Sequence, residues 1–249
     1  MNVLVCISNV PDTTTKIRFI NDNKAFDSNG VQWIINPWDE LALTRAMELK
    51  EDASNPITKV TVLTVGLADA EPTLRKALAI GADDAIRVDA ETGDAFFVAS
   101  QIAEVVREGD YSIILSGIES SDYNGSAVGG MLSELLDMPS VSAISSLSVE
   151  NGEVLIDRDI DGGREKLSIP VPFIGIVQKG ISKEPRIAAM RGIMMARKKP
   201  LQVIPAADVS PLTETVEFAS PSPKEPCKMF EPEDVKGLVN ALVNEAKVI

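Results

Sequence analysis

The chain has no histidine. That removes a Ser–His–Asp triad, any imidazole metal ligand and the usual acid–base side chain in one step. Its two cysteines, Cys6 and Cys227, are far apart, and neither belongs to a CxxC pair. Iron–sulfur and zinc-ribbon patterns are therefore excluded. Glycine is present but spaced wrongly for the common phosphate loops. No two glycines form GxG, so the Rossmann fingerprint is missing, and none form GxxG. The GxxxxG pairs Gly125–Gly130 and Gly175–Gly180 are not followed by lysine, so neither is a Walker A loop. No run approaches the roughly 18 apolar residues of a membrane span. Met1-Asn2-Val3-Leu4-Val5 lacks the basic region and long apolar run of a secretory signal. These absences predict a cytoplasmic chain without membrane insertion, with no metal site and no catalytic side chains.

What is present is a chain of 249 residues, 45% of them hydrophobic, enough for a sizeable core. Asp and Glu number 37 against 24 Lys and Arg, giving a net charge of −13. Such an acidic chain is a poor general binder of nucleic acid. The positive charge is uneven, with Arg186, Arg191, Arg197, Lys198 and Lys199 crowded into one stretch.

Apolar runs alternate with amphipathic stretches. Strands are predicted at Val3–Ile7, Val60–Val65, Ala85–Val88, Tyr111–Leu115 and Phe173–Val177. Helices are predicted at Trp38–Lys50, Glu71–Ile80, Phe96–Arg107 and Val128–Leu136, several stopped by glycine. This alternation argues for an α/β fold with a doubly wound, mostly parallel sheet covered on both faces. The pattern changes at a β-hairpin insertion spanning about 147–169. There Leu147–Val149 and Val154–Asp159 flank an Asn151-Gly152 turn signal, and Asp161-Gly162-Gly163 leads into Lys166–Ile169. A basic, Met-rich segment covers 183–199. Beyond Pro200 the chain turns Pro- and Ser-rich, which disfavours a packed core, until a terminal amphipathic helix at about 233–246. The expected organisation is an α/β nucleotide-binding domain over 1–204 and a C-terminal arm over 205–249. A plain flexible tail is the competing reading of the arm.

Two loops are candidate ligand sites. Asn36-Pro37-Trp38-Asp39 opens a helix with proline at its first position, where a missing N–H costs nothing. Free N–H groups there can meet an adenine or ribose edge; the competing reading is plain helix capping by Asn36. The second loop, Ser116–Gly130, follows a strand. In a parallel sheet ligands collect at the carboxyl ends of strands, and a small-residue loop entering a helix offers backbone N–H groups to a phosphate. Asp122, Asn124, Gly125, Ser126, Ala127, Val128 and Gly129 are the candidates, against a plain turn with close helix packing. Asp159 and Asp161 flank a tight turn and read as solvated turn residues, not as a catalytic carboxylate pair.

Several segments, in order, resemble the electron-transfer flavoprotein beta-subunit family. They are Val3-Leu4-Val5, Lys16-Ile17-Arg18, Ile35–Ala42, Thr73–Asp83, the loop Asp122–Gly130, Arg158–Gly163, Glu184-Pro185-Arg186, Gly192-Ile193-Met194 and Arg197–Pro200. The resemblance implies a subunit that shuttles electrons without catalytic side chains of its own. It implies a heterodimer with an alpha subunit that holds most of one FAD. The partners would be flavin dehydrogenases, such as acyl-CoA dehydrogenases of fatty acid oxidation, and a quinone-linked oxidoreductase. It further implies AMP bound in this subunit, replaced by a second FAD in bifurcating members. The segment Asp89–Phe97 lacks the Ala-Asp-Thr run associated with those members, which favours AMP. Asn36–Asp39 and the 122–129 loop match the nucleotide site, and Cys6 and Val65 match positions walling the adenine pocket. Many members carry Thr and Gln with an intervening Gly in the second loop, where this chain has Asn124-Gly125-Ser126-Ala127-Val128. Thr13 and Thr14 stand where some relatives place an aromatic residue near the flavin. The segment with Met190, Arg191, Ile193 and Met194 resembles a partner-recognition loop, Met190 taking the place of the apolar anchor. The competing reading buries Met190 in the core. The competing function is a stand-alone adenine-nucleotide-binding regulator of the same fold, although the GxxG loop of such proteins is missing.

Overall fold

The computed structural model describes residues 1–150, 153–224 and 226–249. In chain order the elements are β1 (Asn2–Cys6), β2 (Asn9–Pro11), β3 (Phe19–Ile20), β4 (Ala25–Phe26), β5 (Trp33–Ile35), α1 (Pro37–Glu51), β6 (Lys59–Val65), α2 (Glu71–Ile80), β7 (Asp84–Asp89), α3 (Ala95–Glu108), β8 (Ile113–Gly117), α4 (Val128–Leu136), β9 (Ser140–Glu150), β10 (Glu153–Ile160), β11 (Gly163–Ile169), β12 (Phe173–Val177), α5 (Met190–Ala196), β13 (Leu201–Pro205) and α6 (Val235–Ala241). One nine-stranded sheet runs in the order β11-β10-β9-β12-β8-β1-β6-β7-β13. The stretch from β9 to β13 in that order is parallel, while β10 pairs antiparallel with both β9 and β11. Glu150 pairs with Glu153 across the hairpin; the Asn151-Gly152 turn between them lies outside the described residues.

The central strands are apolar on both faces because both faces are covered. Val3 and Val5 of β1, with Val60, Val62, Ile113 and Leu115, join α1 and α2 in one core cluster. The alternate residues Leu4, Cys6, Leu63 and Ile114 join α3 and α4 in a second cluster. The sheet is therefore doubly wound. From β1 the chain moves outward to β6 and β7, then returns through α3 to β8 on the other side of β1. That reversal puts a topological switch point between β1 and β8, the place where an open α/β sheet forms its ligand crevice.

Four elements depart from the sequence pattern. β8 starts at Ile113 instead of Tyr111 and runs on to Gly117, because Ser116 and Gly117 continue the parallel register with Ile176 and Val177. β9 begins at Ser140, before the predicted hairpin strand, and β13 adds an edge strand beside β7 where the Pro-rich arm begins. The terminal helix covers Val235–Ala241 and continues as a wider π-type turn over Leu242–Ala246. Among the described residues, no helix is long and apolar enough to cross a membrane.

Candidate functional site

The strand ends at β1, β6 and β8 gather the predicted site residues, but from two sides of the sheet. On the α1 side, the Asn36 backbone N–H donates to Ser8 O (3.0 Å) just after β1. The Asn36 side chain does not cap α1, contrary to the capping reading. Its amide donates instead to Glu119 O (2.8 Å), and its Oδ1 accepts from the Ser121 N–H (3.2 Å). Asn36 thus pins the loop after β8 to the start of α1. Pro37 fills the first helical position and Trp38 is half-buried beside it.

Asp39 is 3% exposed. Its carboxylate accepts the Ser8 N–H (2.8 Å), just after β1, and the Gly117 N–H (2.7 Å), at the end of β8, the two strands flanking the switch point. Burial pushes its pKa up to about 6, although the hydrogen bonds from Ser8, Gly117 and Asn36 act the other way. Desolvation of the charged form outweighs those bonds.

On the opposite face, Cys6 is buried in the cluster under α3 and α4, and Val65 packs against that cluster at the end of β6. Burial, and then the nearby Asp39 charge, raises the Cys6 thiol pKa, so at neutral pH it is a protonated, unreactive thiol. The loop before α4 is exposed from Asp122 to Ser126, and Asn124 and Ser126 take left-handed backbone conformations. Ala127, half-buried, precedes α4 and has no side chain able to cap it, so the N–H groups of Val128, Gly129 and Gly130 lack a side-chain acceptor among the described residues. A Cβ on Gly129 would stand 2.6 Å from Ile176 Cγ1 and 3.2 Å from Ser116 Oγ, so only glycine lets this turn lie so close to β8 and β12. Ser116 itself, read from the sequence as the first residue of this loop but not among its candidate ligands, is 5% exposed. Its hydroxyl is buried and has no hydrogen-bond partner among the described residues. The signal was available: a serine among apolar residues at the end of a buried strand. Taken together, an uncapped helix start, an orphan hydroxyl and small residues form a cradle that fits a phosphate.

The remaining candidates lie elsewhere. Thr13 and Thr14 are exposed, and Asp12 Oδ1 accepts from the Thr14 N–H (2.9 Å) and hydroxyl (2.6 Å). Asp159 accepts from Ser145 Oγ (3.0 Å), Arg164 Nε (2.9 Å) and Gln178 Nε2 (2.6 Å), and these bonds, Ser145's first, hold its pKa down. It ties the hairpin to the chain after β12. Met190 opens α5 and is 75% exposed; Arg191, Ile193 and Met194 are exposed with it. The core reading of Met190 is thereby overturned. Between α2, α5 and residues 185–188 runs a groove of about 620 Å³, lined by Pro72, Lys76, Ala79, Ile187 and Ile193 among others.

Comparison with known proteins gives a consistent result. Residues 24–209 match the electron transfer flavoprotein domain family. The chain is 34% identical to the electron transfer flavoprotein subunit beta of Bacillus subtilis (strain 168), over the whole of both chains. It is 33% identical to the subunit of that name from Bradyrhizobium diazoefficiens, again over the whole of both. The Homo sapiens subunit is 31% identical across 84% of this chain and 83% of its own.

Proposed function

The chain belongs to the electron-transfer flavoprotein family as a beta subunit, and on that premise we propose that it binds AMP and helps an alpha subunit enclose a shared FAD. As part of an electron-transfer flavoprotein it is an electron carrier, not a catalyst. The observation that carries the nucleotide reading is the cradle at the carboxyl ends of β1, β6 and β8. It combines the uncapped start of α4 with a buried hydroxyl and the apolar wall of Cys6 and Val65. FAD, when bound, supplies the electron-accepting ring. This chain's own contribution is non-covalent. Asn36 and Asp39 hold the two loops at the switch point in register, and α4 turns its N–H groups toward a phosphate. The small-residue loop leaves room for it: a Cβ on Gly125 or Gly130 would meet nothing within 4 Å.

Electrons pass from flavin dehydrogenases to a quinone-linked acceptor, with α5 as the docking element and Met190 as its anchor. The exposed run of Met190, Ile193 and Met194 supports that role. The arm beyond residue 204 lies against the alpha subunit. Co-expression with an alpha subunit, followed by a flavin spectrum and a count of the nucleotides released on denaturation, tests the whole reading. The expected result is one FAD and one AMP per dimer. Two FAD and no AMP would move the protein to the bifurcating class. A stable, colourless homodimer would reject the assignment.

A further inference from the structure

Resting on the AMP reading above, we infer that Ser116 is a nucleotide ligand: its hydroxyl bonds the phosphate monoester at the first turn of α4. Three observations lead there. First, the N–H pair flanking the switch point, from Ser8 and Gly117, is already taken by the Asp39 carboxylate at 2.8 and 2.7 Å. An anion is therefore excluded from the α1 side of the strand ends, both by saturation of the donors and by charge. Second, side chains alternate along β8, so Ser116 points to the opposite face from Gly117, the face covered by α3 and α4. Ile114, two residues earlier, packs in the cluster on that face. Third, Ser116 Oγ stands 3.2 Å from where a Cβ on Gly129 would be, under the second residue of α4, and is a buried hydroxyl with no partner among the described residues.

A buried hydroxyl without a partner is costly, and a native fold keeps one where a bound group satisfies it. The free N–H groups and the helix dipole at this end of α4 select a group with acceptor oxygens and negative charge. A phosphate on the helix start meets both the N–H groups of Val128, Gly129 and Gly130 and the hydroxyl beneath them. Ala127 and Val128, which enter the helix, offer no side-chain donor, and the Ser126 hydroxyl donates to Glu119 Oε2 (3.4 Å), so Ser116 adds a side-chain hydrogen bond from beneath the helix start. The ligand class is a nucleoside monophosphate, and the contribution of Ser116 falls on its phosphate rather than its base.

The test uses the purified heterodimer with Ser116→Ala. AMP and adenosine affinities are measured by competition, and melting temperature is measured with and without added AMP. AMP affinity is expected to fall about 10- to 100-fold, the span of a lost hydrogen bond to a charged group, while adenosine affinity and FAD content stay unchanged. Without nucleotide the variant is expected to melt higher than wild type, because it no longer buries an unpaired hydroxyl; with AMP the order reverses. Equal AMP affinity in the two proteins, or a variant that melts lower without nucleotide, would overturn the inference and leave the AMP reading standing. A wild-type dimer that binds no AMP would overturn both.

Discussion

Met190 and Asp39 are opposite kinds of residue, one exposed and apolar, the other buried and charged, and each makes its own prediction. With three-quarters of its surface in water, Met190 contributes little to the fold. Met190→Ala is expected to change stability by less than about 0.5 kcal/mol, as surface substitutions do, and to weaken dehydrogenase association by about 1–3 kcal/mol. Melting temperature and electron transfer on one preparation separate these effects; a large fall in melting temperature with unchanged transfer would refute the anchor role. Asp39 works through its two acceptor oxygens. Asparagine keeps one acceptor and turns an NH₂ toward the other N–H, so Asp39→Asn should cost about 1–3 kcal/mol for one buried unpaired donor. The pH dependence has a definite sign. The folded-state pKa, about 6, lies above the ordinary 3.8, so the folded chain binds this proton more tightly than the unfolded one. The stability Asp39 supplies is therefore full below about pH 4 and shrinks as pH rises through about 6. The deficit of Asp39→Asn should narrow between pH 5 and pH 7.5 in denaturant titrations. A deficit that widens over that range would show that the carboxylate prefers its charged form there.

At the scale of elements, α5 is held on α2 by close approach. A Cβ on Gly192 would land 2.3 Å from Ala79 O, and Arg75 Nη1 donates to Ala196 O and Lys199 O, both at 2.8 Å. Gly192→Ala must lift α5 away from α2. Overpacking of this kind costs about 1–3 kcal/mol, and dehydrogenase-driven reduction should slow while AMP content stays constant. Loss of AMP in this variant would mean that α5 and the strand-end site are coupled. The helices α2 and α4 and the strand β12 were legible to the residue, because each is a clean periodic run with a clear stop. β9 was legible only in its second half. Ala143 takes a left-handed conformation (φ 57°), and the pairing with β12 shifts register beside it. Val141 and Ile144 are consequently three apart, and a second register shift, against β10 beside Ser145, sets Leu147 three beyond Ile144, so the buried apolar positions hide the strand's period of two. In the site, Asn36 and Asp39 were found as residues but not in their roles. Their partners Ser8, Gly117, Glu119 and Ser121 are brought together by the crossover to β8, which no local pattern encodes. Ser116, read as the first residue of the loop, was not singled out for the same reason: its burial at the end of β8 shows only when Gly129 is seen above it.

For the molecule as a whole, the C-terminal arm divides into an anchored half and a projecting half. The anchored half is tied to the body at three points. Ala207 exchanges hydrogen bonds with the Gln101 side chain (2.8 and 3.1 Å). Asp94 Oδ2 accepts the N–H groups of Leu212 and Thr213, both at 2.8 Å. Phe218 stacks on Phe19 with ring centroids 5.0 Å apart, while its N–H reaches Asn23 O (2.8 Å). Beyond residue 218 the character changes. Met229, Val235, Val239 and Ile249 are exposed, and Lys228 pairs with Glu245 in the π-type turn after α6 while lying over the Phe230 ring. An apolar surface of this kind on a projecting segment is a mark of a partner surface. Deleting residues 219–249 should therefore leave the melting temperature of the isolated chain nearly unchanged, since those side chains contribute little to its core. The same deletion should abolish recovery of a flavin-containing one-to-one dimer on co-expression with the alpha subunit. Tail and arm make opposite predictions here: a free tail can be removed with no loss of assembly, and a truncated chain that still co-purifies with the alpha subunit at full FAD content would establish that reading. A chain that loses stability on its own would instead place α6 within the fold.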